Sequence, residues 1–359
     1  MRLRARISLW VLMATLLMLV GCDKTIHEYP SYPTSPVRVH LEVDRTPAQL
    51  HTIIDNTVKG KTVICSAEKW TETNTKTARD YTLDALNSFV STKSIDGWTI
   101  RLALELYYKD RLLLKGKSVK KELEQNPVFD LEYDLPPGDY TLLTWADYVP
   151  KGTSEDYHFI TENLRQVRTD NDKRLECSNN EQRDCFCCVI PLKVAQSERR
   201  LNEQHFSGVL TRAQGRYVIL SDDYNDYLQM SDVKIEENIS TVFFPSFVNS
   251  AYDVMIGCPN DASVGLKYYY TPSVYSYEGK LSALVAEDYS FVSGAESVIT
   301  ANISIGHKGS NYQSNYNDLS IPLYPNKLTV VIGSYLTSKS SSGGVKIDDN
   351  FSGEIIIYI

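Results

Sequence analysis

Six histidines are spread over 359 residues, at His27, His40, His51, His158, His205 and His307, and no two have the close spacing of metal ligands. The chain also lacks His-Glu-x-x-His and Gly-x-Ser-x-Gly, which removes the usual zinc-hydrolase and nucleophile-elbow signatures. Gly60-Lys61-Thr62 and Gly116-Lys117-Ser118 end like a phosphate-binding loop, but Asp55 and Arg111 stand where its first glycine is required. Basic runs are missing beyond Arg2–Arg6, and the 37 basic side chains are outnumbered by 45 acidic ones, for a net charge of −8. Because polyanions are held by lysine and arginine, that balance argues against nucleic acid as a partner. No apolar run reaches the roughly 20 residues of a spanning helix. No cofactor or metal site is expected, and the chain is read as a non-enzyme.

What is present begins with an address. Arg2–Arg6 form a basic segment, and Leu9–Val20 form an apolar stretch that ends in Leu19-Val20-Gly21-Cys22 before the polar Asp23-Lys24. Residues 1–21 therefore read as a secretory signal. The Gly21-Cys22 junction resembles the lipobox of bacterial lipoproteins, which implies lipidation at Cys22. A diacylglycerol plus an amide-linked, palmitate-class chain would anchor the mature protein firmly, since each buried methylene contributes roughly 0.8 kcal/mol. Residues 22–36, with Pro30, Pro33 and Pro36, read as a semi-rigid spacer.

Beyond the spacer the pattern is one of strands. Val37, Val39, Leu41 and Val43 alternate with Arg38, His40, Glu42 and Asp44, and residues 98–108, 128–135 and 140–146 repeat the period of two. Pro136-Pro137-Gly138-Asp139 marks a hairpin or a sandwich corner. In the second half, strands are expected at 207–212, 216–221, 240–247, 252–257, 264–270, 281–285, 297–305, 318–323, 327–336 and 353–359. Short helices are expected only at 46–57, 79–90 and 117–125, which rules out regular strand–helix alternation. Many short strands between Gly, Asn, Asp and Pro clusters predict β-sandwiches. The mixed-polarity stretch 191–206 is the expected junction, giving an N-terminal unit over 37–198 and a C-terminal unit over 199–359.

Two groups of residues invite chemistry. Apart from Cys22, six cysteines remain: Cys65, Cys177, Cys185, Cys187, Cys188 and Cys258. In an exported protein a local disulfide of Cys177 with Cys185, Cys187 or Cys188 is favoured over a thiolate metal site or a redox Cys-x-x-Cys, with connectivity left open. The acidic stretches Asp222–Asp226 and Asp348–Glu354 carry oxygen ligands suited to calcium but lack the EF-hand pattern, and read as solvated turns. Fifteen of the 24 tyrosines follow residue 206; β-propensity and burial are favoured over a binding platform.

Several segments together resemble the Bacteroidetes-type fimbrillin superfamily of lipoproteins, in particular its minor-fimbrium anchor-like branch and relatives of unassigned function. They are residues 22–30, Leu135–Tyr140 leading into Trp145–Tyr148, Leu210-Thr211-Arg212 with Gly215-Arg216-Tyr217, and Ile321–Val331 followed by Ile347–Gly353. The cysteine cluster at 177–188 departs from that pattern. The resemblance implies an all-β fold of two tandem, transthyretin-like sandwiches, and a lipid-anchored, outer-membrane, surface-exposed role as a fimbrial (pilus) anchor, accessory or adhesive subunit. It implies fimbrial subunits or other surface proteins as partners, and no catalytic residues. It also implies strand complementation, in which a partner strand completes an open sheet edge. The terminal Gly353–Ile359 is expected to be the last strand of its own sheet, with a free donor strand as the sharper alternative. A surface glycan-binding lipoprotein is the second functional reading, with Tyr268, Tyr269, Tyr270, Tyr275 and Tyr277 presenting rings to sugar.

Overall fold

A computed structural model describes residues 34–57, 61–90, 95–119, 126–173, 180–196, 203–307, 313–338 and, for the backbone, 354–358. The signal, Cys22 and most of the spacer lie outside the described residues, as does Cys177. In chain order the strands are β1 (Ser35–Val43), β2 (Gln49–Asp55), β3 (Lys61–Ser66), β4 (Trp98–Tyr108), β5 (Arg111–Val119), β6 (Val128–Leu135), β7 (Gly138–Pro150), β8 (Phe159–Ile160), β9 (Val167–Thr169), β10 (Cys185–Val194) and β11 (Gln204–Arg212). They continue as β12 (Gln214–Ser221), β13 (Ile239–Phe243), β14 (Val248–Asp253), β15 (Cys258–Ser263), β16 (Lys267–Tyr270), β17 (Ser273–Tyr277), β18 (Lys280–Phe291), β19 (Ser297–Gly306), β20 (Gln313–Leu323), β21 (Lys327–Gly333) and β22 (Glu354–Tyr358). The fold class is all-β, as expected.

The first seven-stranded sheet runs β5-β4-β7-β10-β11-β1-β6. One of its faces buries Val37, Val39, Leu41, Leu102, Leu104, Leu142, Leu192 and Leu210, and the cluster draws almost wholly on this sheet's own strands. A flat sheet cannot cover itself, so the sheet folds over, with β11-β1-β6 lying on β5-β4-β7-β10. The bend is where β10 and β11 pair through only Phe186↔Arg212 and Cys187↔Thr211. The opposite face of β4 and β7 is covered as well. There Ala103, Tyr107, Leu143 and Trp145 pack with Phe159, Val167 and Tyr252, from the sheet β15-β14-β9-β8. Double coverage explains why β4 and β7 are buried at almost every position although their sequences alternate like half-buried strands.

The second core lies between the sheet β17-β18-β12-β21-β2-β3-β22 and the sheet β16-β13-β19-β20. Residue 198 does not divide the sheets: β11 belongs to the first sandwich, whereas β2 and β3 join the second. The direct step from β11 to β12 is the single residue Ala213. Pro136-Pro137 proves to be a corner, because β6 pairs with β1 while β7 pairs with β4 and β10. Tyr140 donates its hydroxyl to the Pro136 carbonyl at 2.8 Å, and a Cβ at Gly138 would come within 2.8 Å of the Tyr108 ring.

The expected helix at 46–57 is a correction: residues 49–55 form β2, parallel to β21 and antiparallel to β3. Thr52, Ile53 and Ile54 are buried in mid-sheet, where β-branched side chains pack well. Their partner β3 is local, but their other partner, β21, lies some 280 residues away and leaves no local trace. At 79–90 the expectation holds in pieces, as short helices Lys76–Asp80 and Leu83–Asn87 capped by Thr75 and Thr82. At 117–125 the chain instead continues β5 as far as Val119, and residues 120–125 lie outside the described set.

Buried ion pairs knit the layers. Arg101 on β4 donates from Nε to Asp147 on β7 at 2.8 Å and from Nη1 to Asp156 at 2.6 Å. Arg101 and Asp147 are fully buried, so removing the Asp147 charge leaves Arg101 with Asp156 as its remaining carboxylate partner. Asp147→Asn should therefore lower stability by about 3 kcal/mol. Urea unfolding should show this as a lower midpoint at unchanged slope. A loss well under about 1 kcal/mol would mean that Asp156 alone is a sufficient counter-ion.

Candidate partner-binding edges

The buried arginines of the interior are paired with carboxylates. Arg212 grips Asp184 through Nε and Nη2, both at 2.7 Å, and also donates to the Thr46 carbonyl at 3.1 Å and to Asn326. Arg216 donates to Glu287 at 3.0 Å and to Glu181, and Arg183 donates to Asp288 at 3.1 Å. Burial opposes the charge on Arg212 and Arg216, yet the facing acids and tyrosines outweigh it and raise both pKa values. Tyr270 and Tyr289 add hydroxyl donors to Glu287 and Glu181. These carboxylates act as counter-ions to the arginines and as acceptors for the tyrosine hydroxyls.

The cysteines behave similarly. Cys185, Cys187 and Cys188 are free thiols on β10, and Cys65 and Cys258 are also free. Alternation along β10 places Cys185 and Cys188 on opposite faces, so this Cys-x-x-Cys does not bring its thiols together as a helical one would. Burial pushes the Cys187 thiol up to about 12 despite its bond with Tyr252, and burial raises Cys185 and Cys188 as well. Thiols so disposed are poor nucleophiles at neutral pH. Among the described residues no group of His, Cys, Asp and Glu is arranged to hold a metal ion.

In the acidic stretch Asp222–Asp226, Asp226 is exposed as expected, but Asp222 and Asp223 form a clamp. Asp223 accepts from the Thr337 amide and hydroxyl, both at 2.7 Å, and Asp222 accepts from Ser334 at 3.0 Å. Asp348–Gly353 lies outside the described residues. The five tyrosines are divided. Tyr268 and Tyr270 are core residues, Tyr268 sharing a 2.7 Å hydroxyl contact with Tyr217, and Tyr275 packs on Phe89 while donating to the Ala85 carbonyl at 2.7 Å. Tyr269 and Tyr277 are half-buried. The structure does not gather the five into one exposed plane.

Among the described residues, what stays open is backbone at the sheet edges. In the first sandwich these edges are β5 and β6. Sequence reading missed β5, although three consecutive leucines between bases, without alternation, were a usable signal. Leu112, Leu113 and Leu114 are exposed at 37%, 40% and 42%, more than is usual for three neighbouring leucines in a strand. Lys115 pairs with Glu105 and Lys117 with Asp156, both at 2.9 Å. On β6, Asp130, Glu132 and Asp134 are exposed while Leu131 and Tyr133 pack on the core. In the second sandwich, the terminal segment adds to its own sheet, with β22 parallel to β3 from Glu354↔Lys61 to Tyr358↔Cys65. No helix among the described residues is long and apolar enough to cross a membrane.

No curated protein matches the chain. Solved structures similar to it include a protein provisionally named an adhesin from Bacteroides ovatus, at 13% identity, covering 79% of this chain and 78% of that one, with a TM-score of 0.39. The fimbrial anchor protein Mfa2 from Porphyromonas gingivalis matches at 14% identity, over 79% and 82% of the two chains, with a TM-score of 0.34. The tip fimbrial protein Mfa3 from the same organism matches at 8% identity, over 81% of each, with a TM-score of 0.35. Over residues 56–358 the chain matches a family model described as a family of unknown function (DUF6562), and it belongs to that family.

Proposed function

We propose that this chain is a lipid-anchored cell-surface protein that acts by protein–protein contact, as an anchor, accessory or adhesive subunit of a fimbria-like assembly, without catalysis. The observation that carries the reading is the β5 edge: an outermost strand of its sheet among the described residues, bearing three exposed leucines. An edge of this kind accepts an added strand through main-chain hydrogen bonds, with apolar side chains supplying further contact. Attachment at Cys22 would place the sandwiches outside the membrane and let them transmit load from a partner to the lipid. β22 is held by hydrogen bonds to β3 on one side, which suits a last strand more than a free donor.

Capture of the intact, lipidated chain from gently cross-linked cells should recover fimbrial subunits. Consistent absence of subunits with the unaltered chain would overturn the fimbrial assignment. The tether is tested separately: Cys22→Ala should shift the protein from membrane to soluble fractions and remove the acyl mass from its N-terminal peptide. Unchanged membrane retention would overturn it.

A further inference from the structure

The two open edges of the first sandwich fit each other. Five antiparallel steps and one parallel step separate β5 from β6 along the sheet, so the two edge strands run in opposite directions. Their faces also correspond. On β5, Leu114 and Gly116 lie opposite the core residues Leu106 and Leu104, whereas Lys115 and Lys117 lie opposite Glu105 and Ala103 on the other face. On β6, Phe129 and Leu131 lie opposite the core residues Leu41 and Val39, whereas Asp130 and Glu132 face outward opposite His40 and Arg38. An antiparallel junction of β5 with β6 would thus continue the apolar face with apolar residues and the charged face with charged ones.

The charges select that junction over others. On its outer face β5 carries Lys115 and Lys117 and no acid, Arg111 lying opposite Tyr108 on the other face; β6 carries Asp130, Glu132 and Asp134 and no base. Like charges placed directly opposite one another disfavour β5 on β5 and β6 on β6. Glu132 and Asp130 already touch Arg38 and His40 at 2.7 and 2.8 Å, but both acids remain well exposed on the outer face. Because the sheet folds over at the β10–β11 bend, its two free edges lie on the same side of the sandwich. A two-fold axis along the strands then places β5 of each copy beside β6 of the other, giving two identical ladders at once.

We infer that the occupant of the β5 edge is β6 of a second copy of this chain, in a closed two-fold dimer held by reciprocal β5–β6 ladders. The inference rests on reading β5 as a docking edge and names its partner. Sedimentation velocity on the chain from residue 23 onward, which holds every described element, should show a dimer in the micromolar range. Lys115→Glu with Lys117→Glu should give a monomer, and so should Glu132→Lys with Asp134→Lys. Joining the two sets in one chain should restore the dimer with at least tenfold tighter association than either set alone. Thermal melting verifies that each variant is folded, and amide exchange on the unaltered chain should show β5 and β6 protected more strongly at high protein concentration. A monomeric unaltered chain, a dimer that survives both reversals, failure of the joined set to reassociate, or open-ended polymers would overturn the inference. A monomer that still captures fimbrial subunits would sink the dimer alone; a dimer that captures none would sink the fimbrial reading alone.

Discussion

The contact on which this architecture turns is Arg212 against Asp184 at the bend of the first sheet. A sheet that covers its own inner face must change direction somewhere, and here the change is confined to the two-residue pairing of β10 with β11. Arg212 ends β11 and Asp184 immediately precedes β10, so their bidentate pair fixes the two strands where the ladder is shortest. The same guanidinium reaches Thr46, just before β2, and Asn326, in the turn before β21. One side chain therefore holds the bend and connects it to the strands of the second sandwich. Such a buried pair adds little net energy over an apolar substitute, but loss of either partner exposes the other to an uncompensated environment. Its value lies in fixing one arrangement of strands.

How much of this was legible depends on how local the cause is. β1 and β7 could be read because their alternation and the Pro-Pro-Gly-Asp punctuation act within a few residues. β2 could not, because Thr52-Ile53-Ile54 is consistent with either state until β21 is supplied from far along the chain. The corner at Pro136 was legible as a turn, yet its topology was not, since the choice between hairpin and layer change is made by β1 and β4. The arginine–carboxylate pairs had no signature at all: Arg216 and Glu287 are 71 residues apart. The terminal segment was read correctly as a strand of its own sheet, because a run of isoleucines is short, apolar and β-prone.

The same distinction applies to the functional residues. The clustered cysteines attracted attention by spacing, but spacing on a strand has a different meaning from spacing on a helix. An interval of three brings two thiols together in a helical turn and separates them across a sheet. The tyrosines attracted attention by number, and Tyr268 and Tyr270 turned out to serve the core through Tyr217 and Glu287. β5, with no motif, was passed over. Composition points to residues that can do chemistry, whereas the proposed contact at β5 uses backbone groups that composition does not register.

Charge on an edge strand has two opposite physical effects, and only context separates them. Lysines at an edge deter indiscriminate pairing, because bringing a second chain alongside buries or crowds their ammonium groups. The deterrent weakens when the incoming strand carries carboxylates at matching intervals, since desolvation is then offset by an opposite charge. The outer faces of the two free edges have opposite signs, with Lys115 and Lys117 spaced by two as Asp130, Glu132 and Asp134 are, and the same order of faces. Random sequence would seldom meet all three conditions, and a purely protective role for Lys115 and Lys117 would require none of them on β6. Protection against most partners and recognition of one are therefore the same arrangement, with selectivity set by what faces the lysines.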